Sequence, residues 1–218
     1  MQTIQELLNT VSRELTDEGP LRRWTQDDLV KYYNSAVAAL ATYRPDIFAT
    51  TKTVTCVAGT RQTLPTGARR LIEAERNTNG RKLRFCERGV LDDMEPDWMC
   101  STGSTEAEAY AYDESNPTVF WLYPGVADGV QVDVVASVMP EPVTVSQITQ
   151  PLPFDAAFFT PCMDWIIYRA YMRDADDTAN SARGQLHLQA FAQYLGIKLE
   201  ADRALSQRRQ QKFQTNQG

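Results

Sequence analysis

The sequence predicts an α+β protein: a helical bundle formed by N- and C-terminal helices, an antiparallel β region inserted between them, and a flexible C-terminal tail. Three observations predict it. Apolar residues recur at helical spacing before Tyr43 and again after Phe154. From Lys52 to Met139 the apolar period changes to two, as in strands. Beyond Gly196, apolar residues become sparse among Gln, Arg, Asn and Ser. The order helices, strands, helices leads us to expect the two helical ends to pack together over one sheet region. Residues 1–196 then form a single domain with its β-rich insertion at about 52–139, and residues 197–218 form a docking tail.

Thr3 and Glu6 have capping-box spacing, and Ile4, Leu7, Leu8, Val11 and Leu15 line one side of the helix they open. Asp17-Glu18-Gly19-Pro20 ends it. A second helix starts at Thr25, with Asp28 three residues on. Trp24 before this cap and Leu29 after it hold the positions of a hydrophobic staple. Its buried row is Leu29, Tyr33, Ala36, Val37 and Leu40, and Tyr43-Arg44-Pro45 stops it because the residue before proline avoids helical geometry.

In the middle region Val54 and Cys56 alternate with Thr53, Thr55 and Val57, and Ala58-Gly59-Thr60 turns the chain. Gln62-Thr63-Leu64-Pro65 reads as a short edge strand ended by its proline. Leu71–Arg76 and Lys82–Cys86 flank Asn77-Thr78-Asn79-Gly80, whose Asn-Gly pair signals a hairpin. Glu87–Met94 reads as a short helix. Glu108–Tyr112, Thr118–Tyr123 and Val130–Val138 read as an antiparallel meander, with Asn116-Pro117 and Pro124-Gly125 as breaks.

Phe154 to Gly196 carries two long helices. In the first, Phe159, Met163, Ile166 and Ala170 form an apolar row, with Phe158, Cys162, Trp165 and Met172 beside it. Two readings of its start stand side by side: Thr160 as N-cap with Pro161 at the first helical position after a turn opened by Asp155, or Pro161 kinking one longer helix. The second helix aligns Gly184, Leu188, Phe191 and Leu195, and Gly196 occupies the place of a left-handed C-terminal cap.

The chain has 218 residues, 43% hydrophobic and 23% charged, enough for one substantial core. No apolar run approaches the roughly 20 residues of a membrane span, and Met1-Gln2-Thr3-Ile4-Gln5 lacks the features of a signal peptide, so a cytosolic protein is expected. Cys56, Cys86, Cys100 and Cys162 are scattered without metal-ligand spacing and read as reduced, mostly buried thiols. A net charge of −6 argues against a dedicated nucleic-acid binder. Charge is nevertheless uneven, because Lys198, Arg203, Arg208, Arg209 and Lys212 face only Glu200 and Asp202 in the tail.

Taken in order, several segments resemble the head-to-tail adaptor (neck connector) proteins of tailed bacteriophages. They are Trp24 with the helix Asp27–Leu40, Arg44-Pro45-Asp46, Gly59–Pro65, Ala68–Asn77, Pro96-Asp97-Trp98, Asn116-Pro117, Phe120–Pro124, Pro151-Leu152-Pro153 and Tyr168–Tyr171. The resemblance implies a non-enzymatic virion protein of the neck, assembled in the host cytoplasm, without cofactor or membrane. Its subunits would form a dodecameric ring between the portal protein and tail or nozzle proteins, with DNA passing through without sequence-specific binding. Family members often grip the portal with a C-terminal extension. Two departures are expected to matter: Thr160-Pro161-Cys162 interrupts a helix that is continuous in the family, and Met1–Asp17 lies outside the matching segments.

The tail residues Lys198, Leu205, Arg208, Arg209, Lys212 and Phe213 are the candidate portal-binding set, with cations pairing acidic groups and Phe213 filling a pocket; the alternative is a solubilising terminus. Residues 61–88 carry eight cations against three carboxylates. From these, Arg61, Arg69, Arg70, Arg81 and Arg84 are the candidate subunit interface, with DNA contact or a solvated face as alternatives. Asp174–Asn180 lacks the glycine and the bidentate Glu of a calcium loop and reads as an interhelical turn. Asp92, Asp93, Glu95 and Asp97 invite comparison with the carboxylate pair of a peptidoglycan hydrolase, but consecutive acids beside a turn are normally solvated. His187, the single histidine, falls on the polar side of its helix. The aromatics Trp98, Tyr110, Tyr112, Phe120, Trp121 and Tyr123 divide between core and interface in a way that spacing does not sort.

Overall fold

The structure, a computed structural model, describes residues 2–19, 23–173 and 179–196. The chain forms two compact units, one comprising Met1–Arg44 with Glu141–Gly218 and the other Pro45–Pro140. The fold is α+β, with helices in the first unit and antiparallel strands dominating the second.

In the helical unit, α1 (Ile4–Glu14) begins with the Thr3/Glu6 capping box, and α2 (Gln26–Tyr43) with that of Thr25 and Asp28. The remaining amides of the first turn of α1 are not left bare: Ile4 N–H donates to the Gln150 carbonyl at 3.1 Å and Gln5 N–H to that of Ile148 at 2.8 Å. The helix α3 (Arg88–Met94) belongs to the other unit. α4 (Phe159–Met172) packs against both α1 and α2. A last helix, α5, spans 179–196. The predicted apolar rows of α1 and α2 are buried, Ile4, Leu7, Leu8 and Val11 on the first and Leu29, Tyr33, Ala36, Val37 and Leu40 on the second; on α4 Ile166 and Ala170 are buried but Phe159 and Met163 only half-buried, and on α5 Phe191 and Leu195 are buried but Leu188 only half-buried. Each buried leucine, valine or isoleucine contributes about 1.5–3 kcal/mol. Indole donors cross between helices, from Trp24 Nε1 to the Ala170 carbonyl and from Trp165 Nε1 to Ser35 Oγ, both at 3.1 Å. Gly184 lets α5 approach α4 closely, since a Cβ there would stand 3.3 Å from the Tyr171 Cβ.

The β unit contains two sheets. Strands β1 (Ala49–Thr55), β7 (Gln131–Val138) and β3 (Ala68–Asn77) form one, in the order β1-β7-β3; β2 (Gly59–Thr63), β6 (Val119–Val126), β5 (Ala109–Tyr112) and β4 (Arg84–Phe85) form the other, in the order β2-β6-β5-β4. Val54, Leu71, Ala74, Val132, Val134 and Ala136 of the first sheet share one core with Tyr110, Phe120, Leu122 and Val126 of the second. The two sheets therefore pack face to face. The other face of the four-stranded sheet is also covered: Val119, Trp121 and Ala111 pack with Leu91 of α3 (Arg88–Met94) and with Trp98, which is fully buried in a short 3-10 turn. Burial on both faces explains the uninterrupted run Val119-Phe120-Trp121-Leu122, where an exposed strand would alternate.

Several expectations are corrected. The three-strand meander stops after two strands, because β7 leaves β6 and pairs with β1 and β3 in the other sheet. There are accordingly two sheets in place of one sheet region. Pro124 and Gly125 lie within β6 and do not end it. The Asn77–Gly80 hairpin forms, with an Arg76–Lys82 bridge, but its second arm then crosses to the other sheet, where Arg84 and Phe85 pair in parallel with β5. Asp155 opens a 3-10 turn at Ala156–Phe158, and α4 follows directly, so Thr160 is not its cap. Pro161 sits in the first turn, where its missing N–H leaves no bond unmade, and Thr160-Pro161-Cys162 does not interrupt the helix. Gly196 is still helical with no positive φ. Of the four free thiols only Cys56 and Cys162 are buried; Cys86 is half-buried and Cys100 exposed.

Candidate interaction site

The tail residues Lys198, Leu205, Arg208, Arg209, Lys212 and Phe213 lie outside the described residues, as does most of the Asp174–Asn180 turn. The five arginines lie on the β unit, and the strands distribute them. Arg61 projects from edge strand β2, opposite Trp121 in the register. Arg69 and Arg70 lie on β3, the edge of the three-stranded sheet, where Arg70 pairs with Glu114 at 2.5 Å. Arg81 follows the hairpin turn and meets Glu108 at 3.3 Å, and Arg84 lies on edge strand β4. Among the described residues Arg61, Arg69 and Arg84 have no carboxylate partner, so each presents a solvated charge. The Arg70 and Arg81 pairs are themselves exposed and add little stability.

Beside Arg81 and Arg84 a groove of about 630 Å³ opens between β4, β5, β6 and α3. Its apolar wall is made by Phe85, Leu91, Met94 and Tyr123, and its rim carries the cations Arg81, Lys82 and Arg84 with the single carboxylate Glu108, the partner of Arg81. Phe85 is 57% exposed and Met94 74%, the latter the most exposed large hydrophobic residue described. Tyr123 OH donates to Glu95 at 2.6 Å, and that bond to a carboxylate raises the phenol's pKa. Spacing gave no sign of this groove, because its lining comes from segments separated by the crossing of the hairpin arm between sheets.

The carboxylates Asp92, Asp93, Glu95 and Asp97 are exposed. Asp92 accepts the indole N–H of Trp98 at 2.7 Å, so this acid anchors a core tryptophan. The structure sorts the aromatics: Trp98, Tyr110, Phe120 and Trp121 are buried, whereas Tyr112 and Tyr123 are half-buried at the surface. Arg88 lies 5.0 Å over the Trp121 ring and closes that side.

Two polar constellations, one buried and one half-buried, escaped the sequence reading. Asp133, 6% exposed on β7, accepts from Thr53 Oγ1 and Thr78 Oγ1 at 2.9 Å and from Arg76 Nε at 3.0 Å. The Thr53 bond is the largest influence holding its carboxyl below the usual aspartate range. The other is His187, which turns toward α4 and away from the expected polar side. Its Nδ1 lies 2.8 Å from Asp164 Oδ1, and its ring stacks on Tyr171. Among the described residues no group of His, Cys, Asp and Glu is arranged to hold a metal ion, and no helix is long and apolar enough to cross a membrane.

The β unit thus presents exposed apolar side chains and arginines on one surface. A family model described as SU10 adaptor protein matches residues 2–212. The chain belongs to the SU10 adaptor protein family. It is a phage structural protein of adaptor type, a virion component that interacts with other components of the particle. The match includes α1, which the resembling segments had left out. A search of curated proteins found no significant match.

Proposed function

We propose that this protein is a ring-forming adaptor of the phage neck that joins the portal to the tail without catalysing a reaction. The observation that carries the reading is the adaptor family match across residues 2–212, reaching beyond the last described helix into the basic tail. In this reading residues 1–196 form the adaptor body. Lys198, Leu205, Arg208, Arg209, Lys212 and Phe213 dock on acidic and apolar groups of the portal, and their ordering at that moment ties ring formation to the portal. Arg61, Arg69, Arg70, Arg81 and Arg84 face neighbouring subunits, whose surfaces are acidic on balance. A heterologous contact whose rotation closes, twelvefold in this proposal, yields the ring and leaves a channel for DNA.

The test is capture by the cognate portal protein. Full-length protein is expected to be retained, and protein lacking residues 198–218 to be lost while keeping its far-UV circular dichroism. Equal retention of the two would overturn the docking role of the tail. A stable ring formed by the purified protein alone would overturn portal-dependent assembly.

A further inference from the structure

The two free edges of the four-stranded sheet carry different surfaces. At the β4 edge lies the groove with its basic rim and exposed Phe85 and Met94. At the start of β2, the opposite edge, lies a knob. Cys56 N–H donates to the Val130 carbonyl at 2.7 Å and Gly129 N–H to that of Cys56 at 3.0 Å, so two turns run side by side, with Val57 on one and Asp128 on the other. Val57 is 58% exposed, and Asp128 is exposed with no ion pair among the described residues.

The knob is stiff. Gln62, only 1% exposed, accepts the Val57 N–H at 2.9 Å and donates to the carbonyls of Val57 at 2.9 Å and Gly59 at 3.1 Å. Three hydrogen bonds from one buried amide hold a turn whose tip is a bare valine. A contact made by such a preorganised tip loses little to ordering.

Resting on the ring-forming reading above, we propose that the Val57–Asp128 knob of one subunit seats in the Phe85–Met94 groove of the next, with Asp128 facing Arg84. The charges match twice. Asp128 and Arg84 both lack a partner within the described subunit, and Arg61, on the strand that follows the knob, would meet Asp93, exposed on the neighbour's α3. The two patches are different and lie on opposite edges of one sheet, as a head-to-tail contact requires; a two-fold contact would use one patch twice. The chain's own tail is a poor occupant, because its five cations against two carboxylates repeat the sign of the rim.

The native Cys86 lines the groove and supplies the test. Full-length protein carrying Val57→Cys and Cys100→Ser is oxidised with copper phenanthroline, free at high concentration and after capture on the portal, and resolved on a non-reducing gel. The expected result is a ladder extending past the dimer that disappears with Cys86→Ser. Met94→Cys in place of the native acceptor gives a second geometry. Asp128→Arg and Arg84→Asp are each expected to lower cross-linking about tenfold, and the two together to restore it. No ladder with either acceptor, a ladder that stops at the dimer, or charge reversals without effect would overturn the contact. Portal capture is read in the same samples: capture without a ladder removes this contact and leaves the adaptor reading standing, whereas a ladder without capture does the reverse.

Discussion

Replacing Gln62 with leucine keeps the volume of a buried side chain and removes only its amide. The side chain accepts one backbone N–H and donates to two backbone carbonyls, all within 3.1 Å. At about 1 kcal/mol net for each bond, the loss approaches about 3 kcal/mol if the freed groups stay shielded from water. It falls toward about 1 kcal/mol if the turn swings out and is rehydrated, in which case the Val57 tip loses its fixed position. Urea denaturation measures the first quantity, and amide hydrogen exchange separates the two outcomes. Val57 N–H is held by Gln62, so its exchange should quicken by about tenfold or more, whereas Cys56 N–H, bonded to the Val130 carbonyl, should keep its protection. A loss below about 0.5 kcal/mol with Val57 protection unchanged would refute the claim that this amide stiffens the knob.

Gly125→Ala should destabilise the β unit by about 3 kcal/mol or more, because the added Cβ would fall 2.0 Å from the backbone oxygen of Ser101; thermal denaturation within about 1 °C of the parent would show that this crossing is not so tight. Asp133→Asn should cost about 1–3 kcal/mol near neutral pH and flatten the acid limb of the stability profile. The folded carboxyl titrates below its ordinary range, so its stabilisation is present above the unfolded pKa and is lost as pH falls through the folded one. Urea melts at several pH values give both numbers, and an unchanged acid limb would remove Asp133 from the account. Thiol labelling of the native protein should modify Cys100 first and Cys86 more slowly. Cys56, which burial pushes up to about 11, and the fully buried Cys162, raised by the same cause, should react only after unfolding. Mass spectrometry of the labelled peptides checks the order.

The sequence was most legible where a signal is local. Both capping boxes, the apolar rows of α1 and α2, and the turn at Gly59 with its φ of 110° follow from residues a few positions apart, and the structure keeps them. It was least legible where strands choose partners. Nothing local to Gln131–Val138 says that it leaves β6 for β1 and β3, since an alternating apolar pattern fits either sheet equally. Pro124-Gly125 carries the signature of a turn, yet the contact of Gly125 with Ser101 holds it inside β6. His187 shows the same limit in a helix: its face was assigned from its polarity, and Asp164 on α4 supplies the partner that makes a half-buried position tolerable.

What the chain determined by itself is therefore an α+β protein with helical ends, a stranded middle, a cluster of arginines and an adaptor's order of segments, because composition, period and caps are written over short stretches. The tertiary structure alone decided that two of those arginines rim an apolar groove, that Val57 and Asp128 lie on adjoining turns, the first held by a buried glutamine, and that these two surfaces occupy opposite edges of one sheet. The physical reason is that strand order is a free-energy choice among distant segments. Residues far apart in the chain become one surface only after that choice is made.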